Sequence, residues 1–364
     1  MKAGLLLLAV GAVALVLSLG SSVVRPDLLA KAASTSVPSH VAEMFDRWVH
    51  HHNKKYASPS ERAYRLKTFY KTYLDVVHHN SDPAKTYEKG LTVFADMEED
   101  EFAARMRTAS SDSNAGLTGP KRSPRTNSAV LQNLQAMPVP ESVDWSFSKM
   151  VGQVRDIGSC GGCYAIAAVE AIEVAYFQAK GSYVQCSAQE ILECSNTPPF
   201  TNNGCNGGSI IDSFLYINKR GLASEAAYPY TGRLQRCQSS VPRFIPQDKI
   251  DYIEVPVGES DALKTLVAQR PVSTKMNFDG LKSYTGGIYY GDKCANIATH
   301  YVTIVGYDTI LVNQKKVHYW IIKNNVGSSF GENGYLRVVR AQGSNPSVCG
   351  ITEYAIYPYF LGKI

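Results

Sequence analysis

Gly158-Ser159-Cys160-Gly161-Gly162-Cys163-Tyr164 runs directly into Ala165-Ile166-Ala167-Ala168-Val169-Glu170-Ala171-Ile172-Glu173, and this junction decides how the chain is read. The second stretch has the apolar pattern of a buried helix, which places Cys163 in the helix's first turn. There the free N–H groups and the helix dipole favour the thiolate, the reactive form of cysteine. A histidine within reach would complete an ion pair, and a third residue would hold the imidazole. A Cys-x-x-Cys pair by itself also suits a redox dithiol or half of a zinc site. The redox reading wants a preceding strand in a βαβ unit, and zinc wants a second close pair of Cys or His; the sequence offers neither.

Two histidines lie downstream. His300 sits in the strand-like run Ala298-Thr299-His300-Tyr301-Val302-Thr303-Ile304-Val305-Gly306-Tyr307, and His318 lies just before Tyr319-Trp320-Ile321-Ile322-Lys323-Asn324. The Cys163-to-His300 spacing is 300 − 163 = 137 residues. Cys205-Asn206-Gly207-Gly208 forms a glycine-rich segment between them, and Gly331-Glu332-Asn333-Gly334-Tyr335 follows Asn324.

In this order the motifs resemble the papain-like cysteine peptidases. The nucleophile signature fits except for Gly162 in place of Ser or Ala, and the Cys-to-His spacing falls in that family's range of about 130–150. The resemblance implies an α+β, papain-like fold of two subdomains, a helical one carrying Cys163 and a β-barrel-like one carrying His300 and Asn324. It implies a cysteine endopeptidase that needs no cofactor or metal and acts on peptide or protein substrates. Cys163 would be the nucleophile, His300 the acid and base, and Asn324 the residue that orients His300. The Cys163 backbone N–H would donate to the oxyanion. Gly207, Gly208 and Ser209 would form one wall of the substrate cleft. Cys160–Cys205, Cys194–Cys237 and Cys294–Cys349 are the pairings the resemblance implies, leaving Cys186 as a buried free thiol.

The chain has 364 residues, 45% of them apolar, enough for more than one sizeable core. Its net charge of +5 is small, and no block of like charges suggests nucleic-acid binding. Residues 1–138 carry net +4 (17 basic, 13 acidic) and no cysteine; all eight cysteines lie in residues 139–364. After Lys2 an unbroken apolar run from Ala3 to Leu19 precedes Gly20-Ser21-Ser22. Residues 1–20 thus read as a secretory signal peptide, or as a signal anchor that is never cut. The chain is expected in an oxidising secretory pathway, bound for a lysosome or vacuole or for the outside. Asn345-Pro346-Ser347 is excluded as a sequon by its proline, so no glycan-dependent targeting is expected.

Residues 21–138 read as a propeptide, with an inhibitory helical domain over about 40–106 and a linker over 107–138 that is open to proteolysis. Val41, Phe45, Trp48 and Val49 recur at helical spacing, as do Tyr64, Phe69, Leu74 and Val77 after Ser58-Pro59-Ser60. Leu91-Thr92-Val93-Phe94-Ala95 looks strand-like, and Glu98-Glu99-Asp100-Glu101 looks like a helix start. Glu61, Arg65, Phe69, Val76 and Asn80 match the family propeptide's interspersed helical motif, with Thr72 where Asn is usual. Gly90, Phe94 and Asp96 match its second motif, with Thr92 for Asn. The mature enzyme would span residues 139–364, starting near Pro140-Glu141-Ser142-Val143-Asp144-Trp145. Its own propeptide and cystatin-like proteins are the expected inhibitors, and a monomer the expected state. His40, His50, His51, His52, His78 and His79 would add up to six charges to this basic part near pH 6, or simply face solvent.

Three departures fall in the site. Ile157 stands where the family has the Gln that supplies a side-chain oxyanion donor; nearby Gln153 is a candidate substitute, against which its shift of four residues counts. Val326 replaces the Trp that shields the Asn–His hydrogen bond, with Phe330 at the next Trp position, so that bond is expected to be wetter. Tyr164 replaces Trp after the nucleophile, a change the signature allows. The pocket for the second residue before the scissile bond is also unusual. Tyr301, Tyr354 and Lys275 should face it, making it shallow and polar, hostile to large apolar side chains and open to an acidic one, the alternative being that Lys275 points to solvent. Ile157 and Val326 motivate the rival reading of a papain-fold pseudopeptidase or binding protein.

Overall fold

The computed structural model describes residues 36–107, 132–133, 136–255, 257–340 and 347–362. The expected signal segment and most of the expected linker lie outside the described residues. The N-terminal part contributes α1 (Ser39–His51), α2 (Pro59–Asn80), β1 (Tyr87–Lys89) and α3 (Glu99–Met106). Ser58 starts α2 by accepting from Glu61 N, with Pro59 in the first turn, and Glu98 with Glu101 forms a capping box at α3. Val41, Phe45, Trp48, Phe69 and Ala95 form a small core of their own.

The apolar register of α2 is only half filled as its spacing suggests: Phe69 is buried, but Tyr64 is 47% and Val77 45% exposed. Residues 91–95 are not a strand. Ala95 N donates to Thr92 O and Phe94 N to the Thr92 hydroxyl, which curls the run into turns, and the strand is the preceding Tyr87–Lys89. Of the six N-terminal histidines, His40, His50, His51 and His78 are exposed. His52 packs on Trp48, and His79 Nε2 lies 2.9 Å from Tyr87 O.

The rest begins with β2 (Val143–Asp144), followed by α4 (Cys163–Lys180), α5 (Ala188–Cys194) and α6 (Ile210–Arg220). Then come β3 (Ile250–Glu254), α7 (Ser260–Val267), β4 (Val272–Met276), β5 (Tyr284–Tyr289), β6 (His300–Val312), β7 (Lys315–Lys323), β8 (Tyr335–Val339) and β9 (Ala355–Phe360). The strands run in the order β1-β5-β8-β7-β6-β4-β9-β3, with β2 paired to β6, and the sheet does not close on itself. The N-terminal part thus adds an antiparallel strand at the β5 edge.

Helix α4 is the axle of the fold. Residues Cys163 to Ala175 are all buried, and the run of alanines keeps the helix slim enough to lie against β4, β6 and β9. Two of its buried groups are polar and must be answered inside. Glu170 accepts from Lys323 Nζ at 2.5 Å and from the Thr303 hydroxyl at 2.7 Å, and Glu173 accepts from Arg155 at 2.6 Å and from Cys186 N at 2.7 Å. Removing one partner of such a pair strands a buried charge. Lys323→Met should therefore destabilise the protein by about 3–5 kcal/mol, read as a lower denaturant midpoint, and adding Glu170→Gln should recover part of the loss.

Candidate active site

The three sequence-predicted catalytic side chains come from the ends of three elements that α4 holds together. Cys163 is the first residue of α4, His300 the first of β6, and Asn324 follows directly on β7. Tyr301 N, next to His300, donates to Cys163 Sγ at 3.4 Å. His300 Nε2 lies 3.1 Å from Asn324 Oδ1, which also accepts from Asn325 N at 2.8 Å. An N–H on Nε2 answers this oxygen and leaves Nδ1 as the nitrogen available to a thiol.

His300 is 1% exposed and Asn324 fully buried, so their hydrogen bond is dry in this form, contrary to the expectation drawn from Val326. The cover comes from elsewhere. Phe278, on the loop after β4, meets the His300 ring edge to face at 4.7 Å, and Phe330 packs behind it at 6.5 Å. Asn325 Nδ2 donates to Tyr301 O at 2.9 Å, tying the asparagine pair to the strand of His300. Phe278 and Asn325 carry no motif that marks them in the sequence.

The nucleophile loop is fixed from below. Disulfides join Cys160 to Cys205, Cys194 to Cys237 and Cys294 to Cys349, while Cys163 and Cys186 are free and buried. Gly161 N donates to Cys205 O at 2.8 Å, so the loop and the glycine segment lie backbone to backbone. Gly208 has no room for a side chain: a Cβ would stand 2.4 Å from Asn202 Oδ1 and 2.7 Å from the Tyr164 ring. Ser209 caps α6 through its hydroxyl. Ile157 is buried, its N donating to Asn325 O and its O accepting from the Tyr230 hydroxyl at 3.2 Å, whereas Gln153 is exposed. Lys275, Tyr301 and Tyr354 form one cluster, with the ammonium 4.5 and 5.0 Å from the two rings.

The N-terminal part lies over this site. Met106 is buried in one core with Cys163, and its backbone lies close enough to His300 to favour the protonated ring. Arg105 donates to Gly158 O in the nucleophile loop. Thr92 donates to Lys282 O at 2.6 Å, Lys282 Nζ to Met97 O at 2.8 Å, and Phe94 packs on Phe330. Within the segment, Asp96 is buried and takes both Lys54 and Tyr56, while Arg65 grips Glu101.

Covering the site changes its protonation. Loss of solvent pushes the Cys163 thiol up to about 12, against the weaker pull of backbone N–H groups and Lys275. It pushes His300 down to about 4, against the raising effect of Asn324, which accepts from the ring, and of the nearby Met106 backbone and Asn325 side chain. In the closed form the pair is thiol and neutral imidazole. Among the described residues no group of His, Cys, Asp and Glu could hold a metal ion, and no helix is long and apolar enough to cross a membrane.

Comparison with known proteins agrees with this arrangement. Residues 139–359 match the model of the papain family cysteine proteases, and residues 45–102 that of the cathepsin propeptide inhibitor domain. Mouse (Mus musculus) cathepsin S is 32% identical over 86% of this chain and 89% of its own. The proform of the ragweed pollen cysteine protease Amb a 11 superposes with a TM-score of 0.78 at 29% identity, over 93% of this chain and 98% of that one. Bromelain from Ananas comosus, solved with the E64 inhibitor, matches 61% of this chain and 99% of its own at 32% identity and a TM-score of 0.54. The chain is a cysteine peptidase with an inhibitory propeptide domain and belongs to the papain family.

Proposed function

We propose that the chain is the zymogen of an endopeptidase whose working residues are Cys163, His300 and Asn324. The carrying observation is that the His300–Asn324 hydrogen bond and the Tyr301 N–Sγ contact meet at the N-terminus of α4. In the opened enzyme, water returns to the cleft and the proton moves from Cys163 to His300, giving a thiolate–imidazolium pair. The thiolate attacks the peptide carbonyl carbon, and the oxyanion is met by the Cys163 backbone N–H at the helix start. His300 then protonates the leaving amine as the C–N bond breaks, leaving an acyl-thioester. Finally His300 takes a proton from water, whose oxygen attacks the thioester, and the acid leaves as Cys163 is restored.

On this reading residues 1–20 direct the chain into the secretory pathway, towards a lysosome or vacuole or the exterior. Residues 21–138 leave on activation, with 40–106 as the inhibitory domain and 107–138 as the cleaved linker. Residues 139–364 remain as a monomeric enzyme open to cystatin-like inhibitors. The cleft wall is Gly207, Gly208 and Ser209. A second reading, a papain-fold binding protein with little turnover, is favoured by one observation: Ile157, at the usual position of the oxyanion Gln, has no side-chain donor.

Labelling of the acid-processed protein by a biotinylated epoxysuccinyl probe, absent in Cys163→Ala, together with turnover of a mixed peptide library at pH 5, is the expected result. Labelling without turnover would support the binding-protein reading, and no labelling of folded, propeptide-free protein would overturn the endopeptidase. Removing one oxyanion donor costs about 100- to 1000-fold in rate elsewhere. Ile157→Gln is accordingly expected to raise kcat by about 100-fold with little change in KM, measured on the same peptide.

In Cys163→Ala protein, where no thiolate can pair with the imidazole, acid should open the closed form in a window that His300 sets. Its pKa is about 4 when covered and near the ordinary 6.5 once exposed, so below 6.5 the open form binds a proton that the closed form refuses. Closure is at full strength above pH 6.5 and weakens by up to about tenfold per pH unit down to about 4. Glu98 and Glu101 are held low by Lys71 and Arg65, so their share of the stability is lost only as pH falls below the ordinary carboxylate range. In Cys163→Ala protein, hydrogen exchange of residues 99–106 between pH 7 and 4.5 should rise with acid, and His300→Gln should flatten that rise.

A further inference from the structure

Lys275 of β4 and Tyr301 of β6 are direct cross-strand partners, so their side chains leave the sheet on the same face. The Lys275 ammonium lies 4.5 Å from the Tyr301 ring and 5.0 Å from the Tyr354 ring, and the two rings meet edge to face at 5.9 Å. Lys275 is only 4% exposed. This is a cation held in a low-dielectric place rather than a solvated surface lysine.

The cluster lies beside the reacting atoms. Tyr301 N is 3.4 Å from Cys163 Sγ, and the Tyr301 hydroxyl at the far end of the same side chain accepts from Ile210 N at 3.4 Å. Ile210 opens α6, directly after the Gly207-Gly208-Ser209 wall. The phenol therefore crosses from the sheet half to the helical half and floors the cleft on the glycine side of the nucleophile. An extended peptide with its carbonyl carbon at Sγ advances about 3.3 Å per residue with alternating side chains. Its side chain one residue further along the glycine wall points down onto this floor.

The geometry points to a carboxylate-reading subsite: Lys275, between Tyr301 and Tyr354, selects Asp or Glu as the second residue before the scissile bond. This rests on the endopeptidase reading of the same site. The phenol ring fills the volume that Leu or Phe would need, and an apolar group set against the ammonium would strip it of polar contacts. A carboxylate instead makes a charge-assisted hydrogen bond in a dry place, where such bonds are strongest.

The test reads binding apart from chemistry. Cys163→Ala protein is freed of its propeptide by an added protease, and calorimetry at pH 6 compares blocked peptides that differ only in Asp, Glu, Ala, Leu or Phe at that residue. The acidic peptides are expected to bind at least tenfold tighter than the Leu peptide. Lys275→Met should erase the difference, Lys275→Arg should keep most of it, and Tyr301→Ala should admit Leu and Phe. Binding of Leu as tight as Asp, or binding of the acidic peptides too weak to measure, overturns the inference. With Cys163 intact, kcat/KM should follow the same order. Acid-selective binding without any turnover would overturn the endopeptidase and leave the subsite standing.

Discussion

A single buried carboxylate sets the relation between the two halves of the molecule. Glu170 lies seven residues after Cys163, two turns down α4, and bonds to Thr303 of β6 and Lys323 of β7. Thr303 is three residues beyond His300, and Lys323 is the residue before Asn324. The same ion pair that satisfies a charge inside the core thus fixes helix, first strand and second strand at the points from which the three site residues project. Hydrophobic packing alone is tolerant of small slides between a helix and a sheet. A hydrogen-bonded ion pair in low dielectric is not, because any slide leaves a charge unanswered.

The same dielectric argument explains why the covered site is quiet. The N-terminal part does not need to displace any site residue; with it in place Cys163 and His300 are each only 1% exposed. With Met106 and Arg105 over the nucleophile loop, separating charge between Cys163 and His300 becomes unfavourable, and both groups stay neutral. The contacts that hold this cover are mostly backbone carbonyls of one part meeting side-chain donors of the other, as at Lys282 with Met97 and Thr92 with Lys282. Such bonds do not titrate in the acid range, which leaves the response to acid to His300 and to Glu98 and Glu101 at the start of α3.

Much of the site was legible because its chemistry is local. A helix start with a cysteine, a histidine opening an apolar run and an asparagine closing another are each visible in a few residues, and the family resemblance supplied their order. The shielding of His300 was not legible. Phe278 belongs to a loop with no motif, and nothing in a single sequence says that it turns towards residue 300. The strand-like run at 91–95 misled because its apolar composition says nothing of Thr92, whose hydroxyl and carbonyl accept from Phe94 N and Ala95 N and close the run into turns that put Phe94 in the large core and Ala95 in the small one. Burial of Lys275 was open from sequence, since a lysine in a strand more often reaches solvent; cross-strand pairing with Tyr301 decides it. In α2, Tyr64 and Val77 followed the helical period but face outwards, because α2 is covered on one narrow side only.

The short strand β1 has a meaning that outlasts inhibition. Tyr87, Glu88 and Lys89 occupy the edge of β5, and without them that edge would be bare. A bare edge invites any extended chain to pair with it, including another copy of the enzyme. The pairing segment contains Gly286 and Gly287, the latter in a left-handed conformation with φ of 91°, and the ladder there is irregular. An edge so bent offers a poor template for a flat partner strand. The stretch of β5 that receives the N-terminal strand is therefore also one that offers a second extended chain little to pair with.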